Sequence, residues 1–234
     1  LAGSFRIVQH MGRYFERHGK PDKARAIYDK LRDDLPGSIL LDVADARLKA
    51  GEKPKKLLRS SKDGAAEALF SIANSLRRQR ARETALVLAQ LALHLRADYP
   101  IALVLVADIL EDDERYADSN AIYAKVDKAS PFRPAADLSR ARNFNSLKLN
   151  DEAIALYRDI ASRRAHDPQP MTQLGNLLRR DERWDEAIEA YSAAIGRVGI
   201  LEKRHWRMLY ARAIAMERAK RWPEAEKDFL KALE

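Results

Sequence analysis

The stretch DEAIALY at residues 151–157 returns 34 residues later as DEAIEAY at 185–191, and a period of that size limits what the chain can fold into. A unit this short cannot bury an apolar face alone, so copies must stack on one another. Steps of 34 back from Ala187 reach Ala153, Ser119 and Ala85, followed four residues on by Tyr191, Tyr157, Tyr123 and Ala89. A longer step back of 61 residues finds Ala24 before Tyr28, and a step forward of 38 finds Ala225 before Phe229.

Two apolar stripes at helical spacing lie inside each period. Met171, Leu174, Gly175 and Leu178 fall at i, i+3, i+4 and i+7, and Ala187, Tyr191 and Ala194 repeat that spacing after the turn DERW. The pattern predicts two antiparallel helices of about 12 to 15 residues per unit. Small residues recur at Gly12, Ala73, Ala107, Ala141, Gly175 and Ala213 on the first helix. Close approach of two helices needs small side chains there, and the aromatic residue on the second helix fills the space between neighbouring pairs.

These residues resemble the tetratricopeptide repeat, whose 34-residue unit carries a small residue in its eighth place, Ala in its twentieth and an aromatic residue in its twenty-fourth. The resemblance covers nearly the whole chain and implies an all-α fold, a right-handed superhelical solenoid of antiparallel helix pairs. Units are expected at 5–38, 66–99, 100–133, 134–167, 168–205 and 206–234, with a degenerate one at 39–65. Ser119 and Ala89 depart from the pattern, and only Leu35-Pro36 supplies the family's late Pro. The stretch GEKPKKLLRSSKDG is too interrupted for a full second helix and predicts a kink. Four extra residues within GRVGILEKRHW are expected to lengthen the connection before the last pair.

With 234 residues, 46% of them hydrophobic and 33% charged, the chain can bury a substantial core. No apolar run approaches the roughly 18 residues of a membrane span; the longest, IALVLVADIL, is cut by Asp108. The absence of Cys excludes disulfides, thiolate zinc sites and cysteine nucleophiles. Net charge is +8, spread thinly: residues 100–133 carry −3 and every other segment +2 or +3. Leu1 in place of Met, and the lack of a polar capping helix after KALE, point to a piece of a longer chain. The face of Phe229, Leu230 and Leu233 is then expected to pack on further sequence or on a neighbouring molecule, a route to self-association.

Little in the sequence suggests catalysis. GRYFERHGK departs from a phosphate loop, because six residues separate Gly12 from Gly19 and Pro21 follows Lys20. The paired acids Asp151-Glu152 and Asp185-Glu186, like Glu224, fall in the first turn of a second helix, where they suit the dipole and cap free N–H groups. The five histidines, at 10, 18, 94, 166 and 205, lack metal-ligand spacing. The reading is therefore of a non-enzyme with no cofactor and no metal.

In the family resembled, first helices line a concave groove. Carried over residue by residue, that groove would hold Arg142 and Asn145, then Thr172, Asn176, Arg179 and Arg180, then Arg207, Tyr210 and Glu217. An earlier set is Arg13, Phe70, Asn74, Arg77 and Arg78, and the acidic Asp108, Glu111 and Asp112 lie between. Asn can bond a peptide backbone in both directions and Arg can fork onto carboxylates. The expected partner is an extended or helical protein segment, acidic or mixed in charge. Members that clamp a terminal carboxylate pair Lys with Asn, but Phe70 and Thr172 stand where the Lys would be. Single-stranded RNA is the alternative, disfavoured by the acidic break and by Tyr210 as the lone aromatic groove residue. A regulatory region of a larger enzyme is a third reading. KDGAAEALF and RWPEAEKDF are also similar to repeat proteins of alphaproteobacteria, which leaves the compartment open between bacterial cytoplasm and envelope.

Overall fold

The computed structural model describes residues 2–34 and 39–233, so the Leu35-Pro36 feature lies outside the described residues. Those residues form α-helices and one short 3-10 helix, with no strand among them. Helix pairs follow one another along the chain: α1 (Ala2–Arg17) with α2 (Pro21–Asp34), then α4 (Ser61–Arg78) with α5 (Arg82–Leu95). They continue with α6 (Pro100–Asp112) and α7 (Tyr116–Tyr123), then α8 (Arg133–Ser146) and α9 (Asn150–Arg163). The last two pairs are α10 (Gln169–Arg180) with α11 (Trp184–Val198), and α12 (Trp206–Arg218) with α13 (Trp222–Leu233). Between the first two pairs, α3 (Ile39–Lys49) stands alone, and no helix forms over residues 50–60.

The chain divides into two compact units. One comprises Leu1–Ile109 with Val126–Arg133, the other Leu110–Lys125 with Pro134–Glu234.

One turn chemistry joins the helices of every pair. Gly19, Arg80, Glu114, Lys148, Glu182 and Lys220 all have φ between 58° and 69°. This left-handed residue lets the next N–H reach back five residues, as Arg183 N does to Leu178 O at 2.9 Å and Arg221 N to Met216 O at 2.8 Å. Only the first of the six is glycine, so the other five bear a conformational cost that the surrounding packing holds in place.

Above the turn, a small residue on the first helix meets the aromatic residue of the second. A Cβ built on Gly175 would come within 2.7 Å of the Tyr191 ring, and one on Gly12 would overlap the ring of Tyr28. In the second unit Leu138, Tyr157, Leu174, Tyr191 and Ala225 belong to a single apolar cluster running through its three final pairs.

Three local features differ from the sequence reading. α7 has only 8 residues, because Asp127 and Ser130 accept hydrogen bonds from the N–H groups of Ala129 and Phe132 and turn the chain ahead of Pro131. α4 begins at Ser61, ahead of the expected start at 66, because Ser60 and Asp63 form a capping box. The first-turn acids of α9 and α11 make no N-cap bond; Glu186 is instead gripped by Arg183 at 2.7 Å through both oxygens. That grip holds the Glu186 carboxyl below its usual pKa.

Candidate functional site

Four second helices, α2, α7, α9 and α11, carry a buried tyrosine, Tyr28, Tyr123, Tyr157 and Tyr191, and the hydroxyls of Tyr28, Tyr123 and Tyr191 bond residues near the end of the first helix of the pair. In the first pair Tyr28 donates to Glu16 at 2.7 Å, and in α6/α7 Tyr123 donates to Glu111 at 3.0 Å. The residue twelve before the tyrosine is an acid in both. In α10/α11 that place is taken by Arg179, whose Nε donates to the Tyr191 hydroxyl at 3.4 Å while Tyr191 donates to Asn176 Oδ1 at 2.8 Å. The polarity of the inner face is thereby reversed.

Asn176 accepts through its oxygen, which leaves its two amide N–H groups pointing away from Tyr191. Arg180 donates from Nε to the Asn176 carbonyl at 3.4 Å and its side chain is exposed. Neither Arg179 nor Arg180 forms an ion pair among the described residues. Tyr157 sits between α8 and α10 with its pKa raised to about 12, mainly by burial; Arg142 and Arg180 both oppose that rise. Two guanidinium groups from successive first helices therefore act on one buried phenol. Arg142 also donates to Ser139 Oγ at 2.8 Å and lies 3.7 Å from Glu111.

The remaining expected residues are placed differently. Asn145 is half-buried, and its carbonyl accepts from Lys148 N in the turn. Thr172 turns its hydroxyl to the Pro168 carbonyl at 2.9 Å and to Met208 Sδ at 3.3 Å, away from Asn176. Arg207 stacks 5.6 Å over Trp206, and Tyr210 packs edge-on to Trp206 and Phe229. So Arg142, Asn176, Arg179 and Arg180 gather around the two tyrosine hydroxyls, while Arg207 and Tyr210 belong to an aromatic group at α12.

In the earlier set, Phe70 is 3% exposed with its ring edge-on to Tyr99. Arg77 pairs with Asp108 at 3.0 Å, so part of the acidic break is internally compensated. Sequence reasoning treated the tyrosines as filler and missed their hydroxyls. The signal was the choice of Tyr over Phe at a buried position, since a buried hydroxyl needs a partner. Trp206, 43% exposed beside Arg207, was missed as well.

Among the described residues no group of His, Asp and Glu could hold a metal ion, and no helix is long and apolar enough to cross a membrane.

Paired antiparallel helices with small residues facing aromatic ones, joined by left-handed turns, give the chain a fold like that of tetratricopeptide-repeat proteins. Residues 172–234 match the family model for the tetratricopeptide repeat. Among solved structures, MamA from Desulfovibrio magneticus RS-1 is similar with a TM-score of 0.61 at 18% identity, over 75% of this chain and 96% of that one. PilF from Pseudomonas aeruginosa is similar over 98% of this chain and 90% of its own, with a TM-score of 0.58 at 13% identity. YrrB, described as a TPR protein with an unusual peptide-binding site, gives a TM-score of 0.53 at 17% identity over 76% of this chain and 88% of its own. No curated protein matches the sequence.

Proposed function

We propose that the chain is a non-catalytic protein-interaction scaffold whose residues 134–234 bind an extended segment of a partner, acidic or mixed in charge, along the inner faces of α8, α10 and α12. The observation that carries this reading is the gathering of Arg142, Arg179 and Arg180 around Tyr157 and Tyr191, with no acid among the described residues bonded to Arg179 or Arg180. Asn176, fixed by Tyr191, presents donors suited to peptide carbonyls, and the guanidinium groups suit carboxylates of the bound segment. Arg207, Tyr210 and Trp206 would extend the contact with aromatic surface. Similarity of fold to YrrB makes a peptide ligand a natural class to test.

The test compares capture of partners from lysate of the source cell by the wild-type chain and by the triple variant Arg142→Glu, Arg179→Glu, Arg180→Glu, with and without nuclease. Partners lost only in the variant, at unchanged helicity and without nuclease sensitivity, are expected. Partners that vanish with nuclease would replace this reading with nucleic-acid binding, and identical capture would move the site off the basic cluster.

A further inference from the structure

Two helix pairs of this chain share one polar frame and differ in a single group. In the first pair the carboxylate of Glu16, on α1, has a side chain only 2% exposed. It accepts from the Tyr28 hydroxyl of α2 at 2.7 Å and from Nε and Nη2 of Arg47 in α3, each at 2.7 Å. Burial and then Arg47 lower the pKa of Arg13, three residues before Glu16, and the Glu16 charge opposes that fall. A buried carboxylate is thus held by a phenol and by an arginine of the following helix, beside a second arginine of its own helix.

The spacings of three and twelve residues that separate Arg13, Glu16 and Tyr28 recur in Arg142, Asn145 and Tyr157. The following first helix, α10, again brings an arginine, Arg180, one turn beyond the place that matches Arg47. The acid is what changes. In α6/α7 it is kept, with Tyr123 donating to Glu111 at 3.0 Å, but in α8/α9 the amide of Asn145 stands where Glu16 stands.

The effect is seen at Tyr157. The residue is 3% exposed, yet its hydroxyl bonds nothing among the described residues. A buried hydroxyl calls for a partner. Arg142 and Arg180, both exposed, act on this phenol and oppose the rise in its pKa that burial causes. Arg142 spends Nη2 alone on Ser139 Oγ and Glu111, and Arg180 spends Nε alone on the Asn176 carbonyl. Their other nitrogens bond nothing among the described residues, and neither do the side-chain N–H groups of Asn145 and Asn176. The acid these groups meet, Glu111, already accepts from Tyr123. Donors and positive charge are gathered without the carboxylate that the first pair supplies from its own chain.

We infer that, within the proposed groove and resting on that reading, Arg142, Tyr157 and Arg180 form a subsite for one side-chain carboxylate of the bound segment. A Glu of the partner takes the part that Glu16 plays in the first pair: Tyr157 donates to one oxygen and the two guanidinium groups balance the charge. A Gln at that place brings no charge and gains much less. A chain-terminal carboxylate has the same chemistry, and the experiment separates the two sources.

The probe is acetyl-Ala-Glu-Ala amide, whose single carboxylate is a side chain. It is titrated into the full ¹⁵N-labelled chain and followed through the Nε–H signals of Arg142 and Arg180, assigned with Arg142→Lys and Arg180→Lys. Saturable shifts are expected, with binding at least about fivefold weaker for acetyl-Ala-Gln-Ala amide and for acetyl-Ala-Ala-Ala with a free C-terminus. Tyr157→Phe removes only the hydroxyl and should weaken the Glu probe at least about fivefold while leaving the Gln probe unchanged. Asn145→Glu restores the chain's own acid, so it should shift both arginine signals without probe and abolish the response to it. Circular dichroism checks the helicity of both variants, and Asn145→Glu decides alone if Tyr157→Phe loses it. The inference is overturned by absence of saturable shifts with the Glu probe, by an equal response to the Gln probe, or by indifference to these variants. Tighter binding of the free C-terminus would also overturn it, making the subsite one for a chain end. No response to the Glu probe, together with partners lost in the triple Glu variant, removes the subsite and leaves the groove; unchanged capture by that variant removes the groove itself.

Discussion

Replacing Gly175 tests the close packing on which the inner face depends. An Ala side chain there would place its Cβ 2.7 Å from the Tyr191 ring, about 1 Å inside ordinary contact. Tyr191 is 0% exposed and its hydroxyl is held by Asn176 and Arg179, so the ring cannot step aside freely. Overpacking of this kind costs about 1 to 3 kcal/mol, while Gly→Ala in a helix interior gains about 1 kcal/mol. The net expectation for Gly175→Ala is a loss of about 0 to 2 kcal/mol, and Gly175→Val should lose at least about 2 more. Ala141 shares the apolar cluster with Tyr157, so an alanine is accommodated beside a tyrosine in the neighbouring pair, which places Gly175→Ala at the lower end. All three tryptophans, Trp184, Trp206 and Trp222, lie in the second unit, so urea denaturation followed by their fluorescence reports on the unit that holds Gly175. A midpoint raised by the full helix-propensity gain in Gly175→Ala would refute the close approach of Tyr191.

Further substitutions probe other parts of the molecule. Ala153 is 0% exposed, and Ala153→Leu should cost about 1 to 3 kcal/mol by overpacking α8 against α9, read from the same fluorescence midpoint. Asp228→Ala would strand Arg212, which grips both carboxylate oxygens at 2.6 and 2.9 Å in a largely buried pair, and should cost about 3 kcal/mol; the double replacement Arg212→Met/Asp228→Leu should recover most of it. Lys148→Gly should stabilise by about 0.5 to 1 kcal/mol, because its φ of 64° suits glycine better than lysine. Burial opposes ionisation of Glu67, yet bonds from His10, Arg6 and Tyr99 win and bring its pKa down to about 2. With the folded pKa below the ordinary value, that stabilisation is whole above about pH 4.5 and lost as pH falls toward 2. Glu67→Gln should therefore flatten the acid limb of stability, measured by circular dichroism on urea titration at each pH.

The period and the small–aromatic pairing were legible because both follow from steric needs within one unit: Ala153 and Tyr157 must sit where they do whatever surrounds them. The interruption after α3 was legible for a similar reason, since Pro54 and Gly51 act on their own backbone. The truncation of α7 was harder to read, because Asp127 and Ser130 compete with the helix by local hydrogen bonds that could equally have been exposed side chains. Candidate groove residues were named by register alone. Register places Arg142, Thr172 and Arg179 on comparable faces, but only three-dimensional neighbours decide that Thr172 turns to Met208 while Arg179 meets Tyr191.

By itself, then, the sequence determined an all-helical chain of stacked pairs, the positions where helices approach closely, and the absence of any cysteine-based chemistry. Each of these depends on side-chain size or identity at fixed spacing. Which charges are spent inside the fold and which stay available was decided by tertiary structure alone. Arg77 is paired with Asp108, Arg212 with Asp228 and Arg163 with Asp137, while Arg179, Arg180, Lys55 and Lys56 bond no acid among the described residues. Such pairing depends on distances of a few ångströms between helices far apart in sequence, and charge interaction falls away over that scale, so composition and periodicity carry no record of it.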